Sequence, residues 1–499
     1  MSQITVSSSS ITFDETKYKE TSEKELTISN EYLNAVDVVL RFFNPDFSVA
    51  DSAITIAGRS NEKVKVLFTP RHNINYNSEL VVVTNSKTGS VAIDLKGKGK
   101  YDSYYASTFN LFEEDLKNEL KSVISKNYVN LGYNGARDAM YGSIDNKSGK
   151  VECVYTGRTA TFNSRSGANS NSFNCEHTWP QSLFSQREPE RADIHHLFPT
   201  DVNANGRRSN YRFGVVTGST SWSEGGSKLG GSIFEPRDEH KGDVARAMFY
   251  FAIRYQNYSS FLTNQESVLR QWSISTPPTQ QSLDRNNAIF ARQKNRNPFV
   301  DYPEYLERIT SISSTSKATP QSSIRLSASS INLSKIEYAT AFDYQLVITN
   351  DGNQKILFTS VSNTNSNVSV PTTAFELSPG ESHILEISIN PTKASITDEI
   401  TIRSSNITLK VPLFVAGYSS VQNVGNHTFT STYRNGQLII KGANGYSVYV
   451  CDASGRQVFF DEIQSDFTEI NIPSLQGGVY FVQAIGRDAT SFVRKVFIP

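Results

Sequence analysis

Two stretches of this chain, 320 residues apart, carry the same order of apolar and polar positions. Ile11 and Phe13 correspond to Ile331 and Leu333, and Leu26-Thr27-Ile28-Ser29-Asn30 to Leu346-Val347-Ile348-Thr349-Asn350. Val91, Ile93, Leu95 and Gly97 correspond to Val411, Leu413, Val415 and Gly417, while Phe68-Thr69-Pro70 and Ile389-Asn390-Pro391 agree with a slip of one residue. In both copies apolar and polar residues alternate with period two, in short runs broken by Asn, Gly, Ser and Pro. Successive side chains of a strand face opposite ways, so these runs read as half-buried antiparallel strands.

About 95 residues of such strands suit an immunoglobulin-like sandwich. The repeats resemble the sandwich modules that bacterial surface and exported proteins carry beside a working domain, which implies spacers or accessory binding modules. At roughly 100–200 residues per domain, 499 residues suggest three to five domains. The expected division is a sandwich over 1–100, a mixed helical domain over 101–312, a Ser/Thr/Lys/Pro linker over 313–323, a second sandwich over 324–418 and a strand domain over 423–499. In the middle domain, Leu111, Leu116, Leu120 and Ile124 predict a helix capped by Asn110. Asp243 is the expected cap of an apolar stretch from Val244 to Tyr255, and Asp301 with Pro303 opens a short third helix.

Three of the seven histidines fall in one twenty-five-residue window of that domain. It begins Cys175-Glu176-His177-Thr178-Trp179-Pro180 and reaches Asp193-Ile194-His195-His196-Leu197-Phe198-Pro199, and Asn203, Asn205, Gly206, Arg207, Arg208, Ser209 and Asn210 follow. Cutting a phosphodiester requires a water stripped of its proton, charge relief at phosphate and help for the leaving oxygen. A neutral imidazole suits the first task and a hard divalent cation the other two. Mg2+ prefers oxygen ligands and keeps several waters, so one carboxylate (Glu176) and one amide oxygen (Asn203 or Asn205) suffice from the protein. Glu176 and His177 are adjacent, so both serve one site only if the backbone bends there.

These motifs together resemble the bacterial endonuclease I family of non-specific nucleases, which have the ββα-metal (His-Me finger) site. The likeness continues through Val244-Ala245-Arg246-Ala247 and Asn297-Pro298-Phe299-Val300, covering about 105–310. It implies a multidomain protein: an α+β ββα-metal nuclease core flanked by all-β immunoglobulin-like sandwiches and a small C-terminal β-sandwich. It also implies that His177 is the general base and that Glu176 and Asn205 are ligands of Mg2+, with Mn2+ or Ca2+ as alternatives. DNA is the implied substrate, with RNA left open. Longer family members carry an arginine near the scissile phosphate in a loop reduced here to Thr178–Ala192, which makes Arg187 and Arg191 the candidates. Arg207 and Arg208 are expected at phosphate; Asp193, His195, His196 and Asn210 read as support, Trp179 as core, and Arg292–Arg296 as an exposed helix end. Cys153 and Cys175 are near enough in sequence to the site to be a possible disulfide or two free thiols.

The last segment has Asp452-Ala453-Ser454-Gly455-Arg456, then Leu475-Gln476-Gly477-Gly478-Val479-Tyr480, then Val493-Arg494-Lys495-Val496. In that order they resemble the type IX secretion sorting domain, which implies secretion machinery as a partner and a secreted or cell-surface protein. The start Met1-Ser2-Gln3 shows no leader pattern, so a leader is expected to have been removed. No apolar run approaches a membrane span.

Composition narrows the alternatives. Lys plus Arg equal Asp plus Glu at 49 each, so any nucleic-acid footprint is a local patch with salt-sensitive affinity. Three cysteines cannot make a disulfide framework. A zinc hydrolase built on Cys153, Cys175, His195 and His196 lacks the helical His-Glu-x-x-His spacing. A non-enzymatic adhesin built from sandwiches explains the repeats but not a Glu-His pair followed by Asn-Gly-Arg-Arg.

Overall fold

A computed structural model describes all residues except 1–3, 257–258, 334–340, 418–428, 435–436, 453–455, 466, 472–476, 487–490 and 499. Among the described residues the two repeats share one strand order. Each is a four-stranded sheet packed on a five-stranded one, and corresponding strands occupy corresponding places in both sheets. In the first, Ser10–Lys17 pairs parallel to Ser90–Lys100; in the second, Ile331–Leu333 pairs parallel to Thr408–Val415. The period-two positions face inward as expected: Ile11, Phe13, Leu26, Ile28, Ile93 and Leu95 in one core, and Ile331, Leu333, Leu346, Ile348, Leu413 and Val415 in the other. The repeated asparagines explain themselves. Asn30 is buried and donates to the carbonyls of Asn34 and Ile56, and Asn350 is buried and donates to those of Gln354 and Leu377. Each ties a turn to the core with a side-chain amide where the backbone cannot pair with itself.

The central unit has its own core, built around a helix that is buried on nearly every side. Its elements are labelled in chain order. Helices are α1 (Glu113–Ser125), α2 (Gly132–Ala139), α3 (Val202–Arg208), α4 (Asp238–Tyr255) and α5 (Gln280–Gln293), and the strands of the site hairpin are β1 (Phe173–His177) and β2 (Leu197–Asp201). Leu116, Leu120 and Ile124 bury one face of α1, but the helix starts after Phe112. Asn110 instead sits at positive φ, with its backbone N–H on the carbonyl of Asn73 and its side-chain oxygen accepting from the N–H of Asn75. The helix expected from Val244 begins earlier, at Asp238; Asp243 lies inside it, 2.8 Å from Arg246. The short helix expected at Asp301 and Pro303 is present as a 3-10 turn, Pro303–Arg308, entered through Pro303 but with Tyr302 in the cap position; Asp301 ends the preceding short helix Pro298–Asp301, which Asn297 caps.

Side-chain bonds fasten the first sandwich to both neighbours. Tyr18 donates to Glu304 at 2.8 Å and the buried Arg308 to Asn73 at 2.5 Å, while Arg41 donates to the carbonyl of Ser327 at 2.6 Å. The stretch following Arg308 is tied down as well, because Glu266 accepts from the N–H groups of Ile312 and Ser313 and Glu114 from that of Ser316. Near the C-terminus, a three-stranded and a four-stranded sheet enclose Leu438, Ile440, Val448, Val450, Val482 and Val496. Arg456 holds Asp452 at 3.0 Å; Ala453, Ser454 and Gly455 between them, and Leu475 and Gln476, lie outside the described residues. No helix among the described residues is long and apolar enough to cross a membrane.

Candidate active site

The hairpin β1–β2 runs antiparallel with Glu176 opposite Phe198 and His177 opposite Leu197. Asp201, the last residue of β2, caps α3 by accepting from the N–H of Ala204 at 2.7 Å. Asn205 then reaches back from α3 and donates to Asn174 Oδ1 at 2.8 Å and to the carbonyl of Cys175 at 3.3 Å. Strand, strand and helix thus form one locked finger. Asn203 faces solvent on the opposite side of α3.

Strand pairing continues through both Glu176 and His177, so the backbone does not bend between them. They leave the strand on opposite faces, yet Arg208, paired with Glu176, also acts on the His177 imidazole, so both lie near one site and the expected bend is not what brings them together. The His177 ring lies 5.4 Å from the Tyr133 ring and 5.5 Å from that of His196, and Nε2 is 3.2 Å from the carbonyl of Arg191. A carbonyl only accepts, so Nε2 carries the proton and Nδ1 is left with its lone pair, the form a general base requires. Burial holds this imidazole well below its usual pKa, and the neighbouring His196, Arg191 and Arg208 push the same way. His177 is therefore neutral at physiological pH.

Glu176 is fully enclosed. Its Oε1 accepts from the Tyr155 hydroxyl at 2.7 Å and lies 3.1 Å from Arg208 Nε, an ion pair without hydrogen-bond alignment. Burial raises the carboxyl above its ordinary value, while Arg208 and Tyr155 pull it down. Among the described residues no hydrogen bond reaches Glu176 Oε2 or Asn205 Oδ1. Both are hard oxygen atoms of the kind Mg2+ takes, and Asn205 is anchored to the residue preceding Glu176, so these two side chains fit the expected ligand pair. Among the described residues no three His, Cys, Asp or Glu side chains gather as a metal cage, which removes the zinc alternative.

The other expected residues divide. Arg208 is not an exposed phosphate contact. It is 1% exposed because it donates to the carbonyls of Thr178 at 2.6 Å and Ser209 at 2.7 Å while facing Glu176; its neighbour Arg207 is the exposed one. Arg191 lies beside His177, with its guanidinium 4.2 Å from the Tyr133 ring centre, whereas Arg187 is exposed on the preceding loop. Asn210 is exposed past the end of α3. Asp193 caps the short turn that carries His195 and His196, and accepts from Tyr250 at 2.7 Å, Tyr255 at 2.9 Å and Gln293 at 3.1 Å. His195 and His196 donate to the carbonyls of Asn295 and Glu190, and burial lowers both to about 4, so they are neutral props. Gln293 and Asn295, expected on an exposed helix end, are fully buried in this network. Trp179 is core, stacked on Phe251. Cys153 and Cys175 are free thiols, not a disulfide: Cys153 accepts from the N–H of Asp201, while burial pushes the Cys175 thiol up.

Sequence reasoning missed Tyr133, Arg137 and Tyr155. Tyr155 stands 21 residues before Glu176, on a segment with no motif of its own.

The family model for endonuclease I matches residues 112–304, an Ig-like domain model (HYDIN/CFA65/VesB-like) matches 322–415, and the secretion system C-terminal sorting domain matches 434–499. An extracellular ribonuclease of Bacillus subtilis (strain 168) is 32% identical over 229 residues, covering 42% of this chain and 78% of the relative. One from Bacillus amyloliquefaciens is 31% identical over the same shares. A periplasmic deoxyribonuclease of Aeromonas hydrophila is 27% identical over 119 residues, 22% of this chain and 47% of the relative. With the finger, its neutral histidine and its buried carboxylate in place, the chain belongs to the endonuclease I family and is a nuclease of the secreted or cell-surface kind.

Proposed function

We propose that the chain is a metal-dependent endonuclease that hydrolyses phosphodiester bonds of DNA and RNA with little sequence preference. The observation that carries this reading is the setting of His177, with Nε2 3.2 Å from the Arg191 carbonyl. Its Nε2–H is held by the Arg191 carbonyl, so Nδ1 takes the proton of an attacking water. Glu176 and Asn205 would hold Mg2+, with Mn2+ or Ca2+ as substitutes; when bound, the cation supplies charge relief at the phosphate and the leaving oxygen. Tyr155 and Arg208 fix the Glu176 carboxylate for that task, and the Asp193 network fixes the turn on which His196 braces His177. The exposed Arg207 on α3 is placed to meet backbone phosphate, a contact that positions without reading bases. Relatives named ribonuclease and deoxyribonuclease match this same unit, which supports both substrates. The sorting domain supports recognition by secretion machinery.

The test is incubation with supercoiled plasmid and with a long single-stranded RNA. Cuts throughout both with Mg2+, abolished by EDTA, are expected. Undiminished cutting after chelation refutes metal dependence.

A further inference from the structure

Beside His177 the structure holds two arginine side chains with no carboxylate partner. Tyr133 and Arg137 are four residues apart on α2 and so share a helix face. The Arg137 guanidinium lies 4.2 Å from the Tyr133 ring centre, and that of Arg191 lies 4.2 Å from the same point. The two cations are therefore no farther apart than twice that distance. Neither forms an ion pair among the described residues. Arg137 donates from Nη2 to the neutral amide of Asn134, and the Nε atoms of both arginines are buried without a partner. The nearby carboxylates are engaged elsewhere: Asp138 with Arg165 at 2.7 Å, and Glu188 with the backbone N–H of Tyr133 at 2.8 Å.

Like charges held this close repel, and half-burying them without a counter-ion adds desolvation cost. The ring offsets part of this through cation–π attraction. Two guanidinium groups held at one ring suit an anion. Its place is set by the Tyr133 ring, 5.4 Å from the His177 ring, and by Arg191, whose own carbonyl orients that histidine.

We propose that Arg137 and Arg191, held against Tyr133, form a clamp that binds a backbone phosphate of the substrate strand beside the general base. This rests on the nuclease reading and adds Arg137 and Tyr133 to the substrate-binding surface. Arginine suits the role because its planar fork grips phosphate through two N–H groups and stacks on an aromatic face at once. The clamp reads no base, which agrees with low sequence preference.

The experiment measures binding of a fluorescent 20-base-pair duplex to the full chain carrying His177→Ala, with Mg2+, over a series of NaCl concentrations. Arg137→Ala in that background is expected to weaken binding about tenfold. It should also make the slope of log affinity against log salt shallower by about 0.9, the signature of one lost phosphate contact. Arg137→Lys should keep the slope, because it keeps the charge. In the otherwise wild-type chain, Arg137→Ala should raise KM with kcat nearly unchanged. Arg137→Met, which keeps an unbranched apolar stem but no charge, serves where the alanine variant folds poorly and should behave alike. Unchanged salt slope and KM in a chain that still cuts overturn the clamp alone. A chain that neither binds the duplex nor, with His177 intact, cuts it overturns the nuclease reading and the clamp with it.

Discussion

Replacing Arg208 by methionine tests how the Glu176 carboxylate, the proposed metal ligand, is held inside the protein. Arg208 and Glu176 are 1% and 2% exposed as side chains, 3.1 Å apart, and Arg208 also satisfies two backbone carbonyls. Methionine retains most of the aliphatic stem but removes the guanidinium, which lies 4.6 Å from the Phe213 ring centre, and with it the charge. Stranding one member of a buried pair typically costs about 3–5 kcal/mol. The loss should depend on pH in a definite direction. Without its cation, Glu176, already raised by burial, rises further; the native state then binds a proton more readily than the unfolded chain, so the variant's deficit shrinks as pH falls from 8 toward 5. The assay is urea unfolding followed by tryptophan fluorescence, since Trp179, Trp222 and Trp272 are the chain's three tryptophans and all lie in the nuclease unit. Adding Glu176→Gln should restore much of the stability, because removing both charges is often nearly neutral. A deficit below about 1 kcal/mol at pH 8, or one that does not change with pH, would refute this account of the pair.

Other outcomes follow from the same contacts. Tyr155→Phe deletes an outer partner of Glu176 and should weaken Mg2+ affinity roughly 10–100-fold with little effect at saturating metal, as read by metal titration of cleavage. His195, His196 and His240 are held near 4, so the unfolded chain takes up protons that the native state refuses. Stability of the nuclease unit should therefore fall as pH drops below about 6.5 and keep falling to about 4, by about 1.4 kcal/mol per pH unit for each histidine; a urea midpoint equal at pH 7.5 and 5 would contradict this. A chain ending near Gly417 should cut plasmid as the full chain does, while deleting residues 1–100 strips the buried Arg308 of Asn73 and should lower the tryptophan-detected midpoint.

What could be read in advance was what lies close in sequence. The sandwich cores were legible because strand period two sorts Ile11, Phe13, Leu26 and Ile28 to one face, and the second copy repeats the sorting. The finger was legible because hairpin and helix span only 173–208 and carry their motifs in order. The start of α4 was not: a helix buried on nearly all sides has no polar stripe, and Asp243 resembled a cap although Arg246 satisfies it within the helix. Arg207 and Arg208 are identical in composition, and only the helix angle decides that 208 turns inward. Tyr133, Arg137 and Tyr155 reach the site through tertiary packing, which no local spacing encodes.

The central claim is that His177 handles a proton while Glu176 and Asn205 hold the metal. A Mg2+ titration of plasmid cleavage by the His177→Ala variant tests it most directly, since one curve gives both plateau rate and half-saturating metal. The expected result is a plateau about 10²–10⁴-fold below wild type with half-saturation unchanged. A plateau that recovers toward wild type at high Mg2+ would make His177 a metal ligand and contradict the assignment.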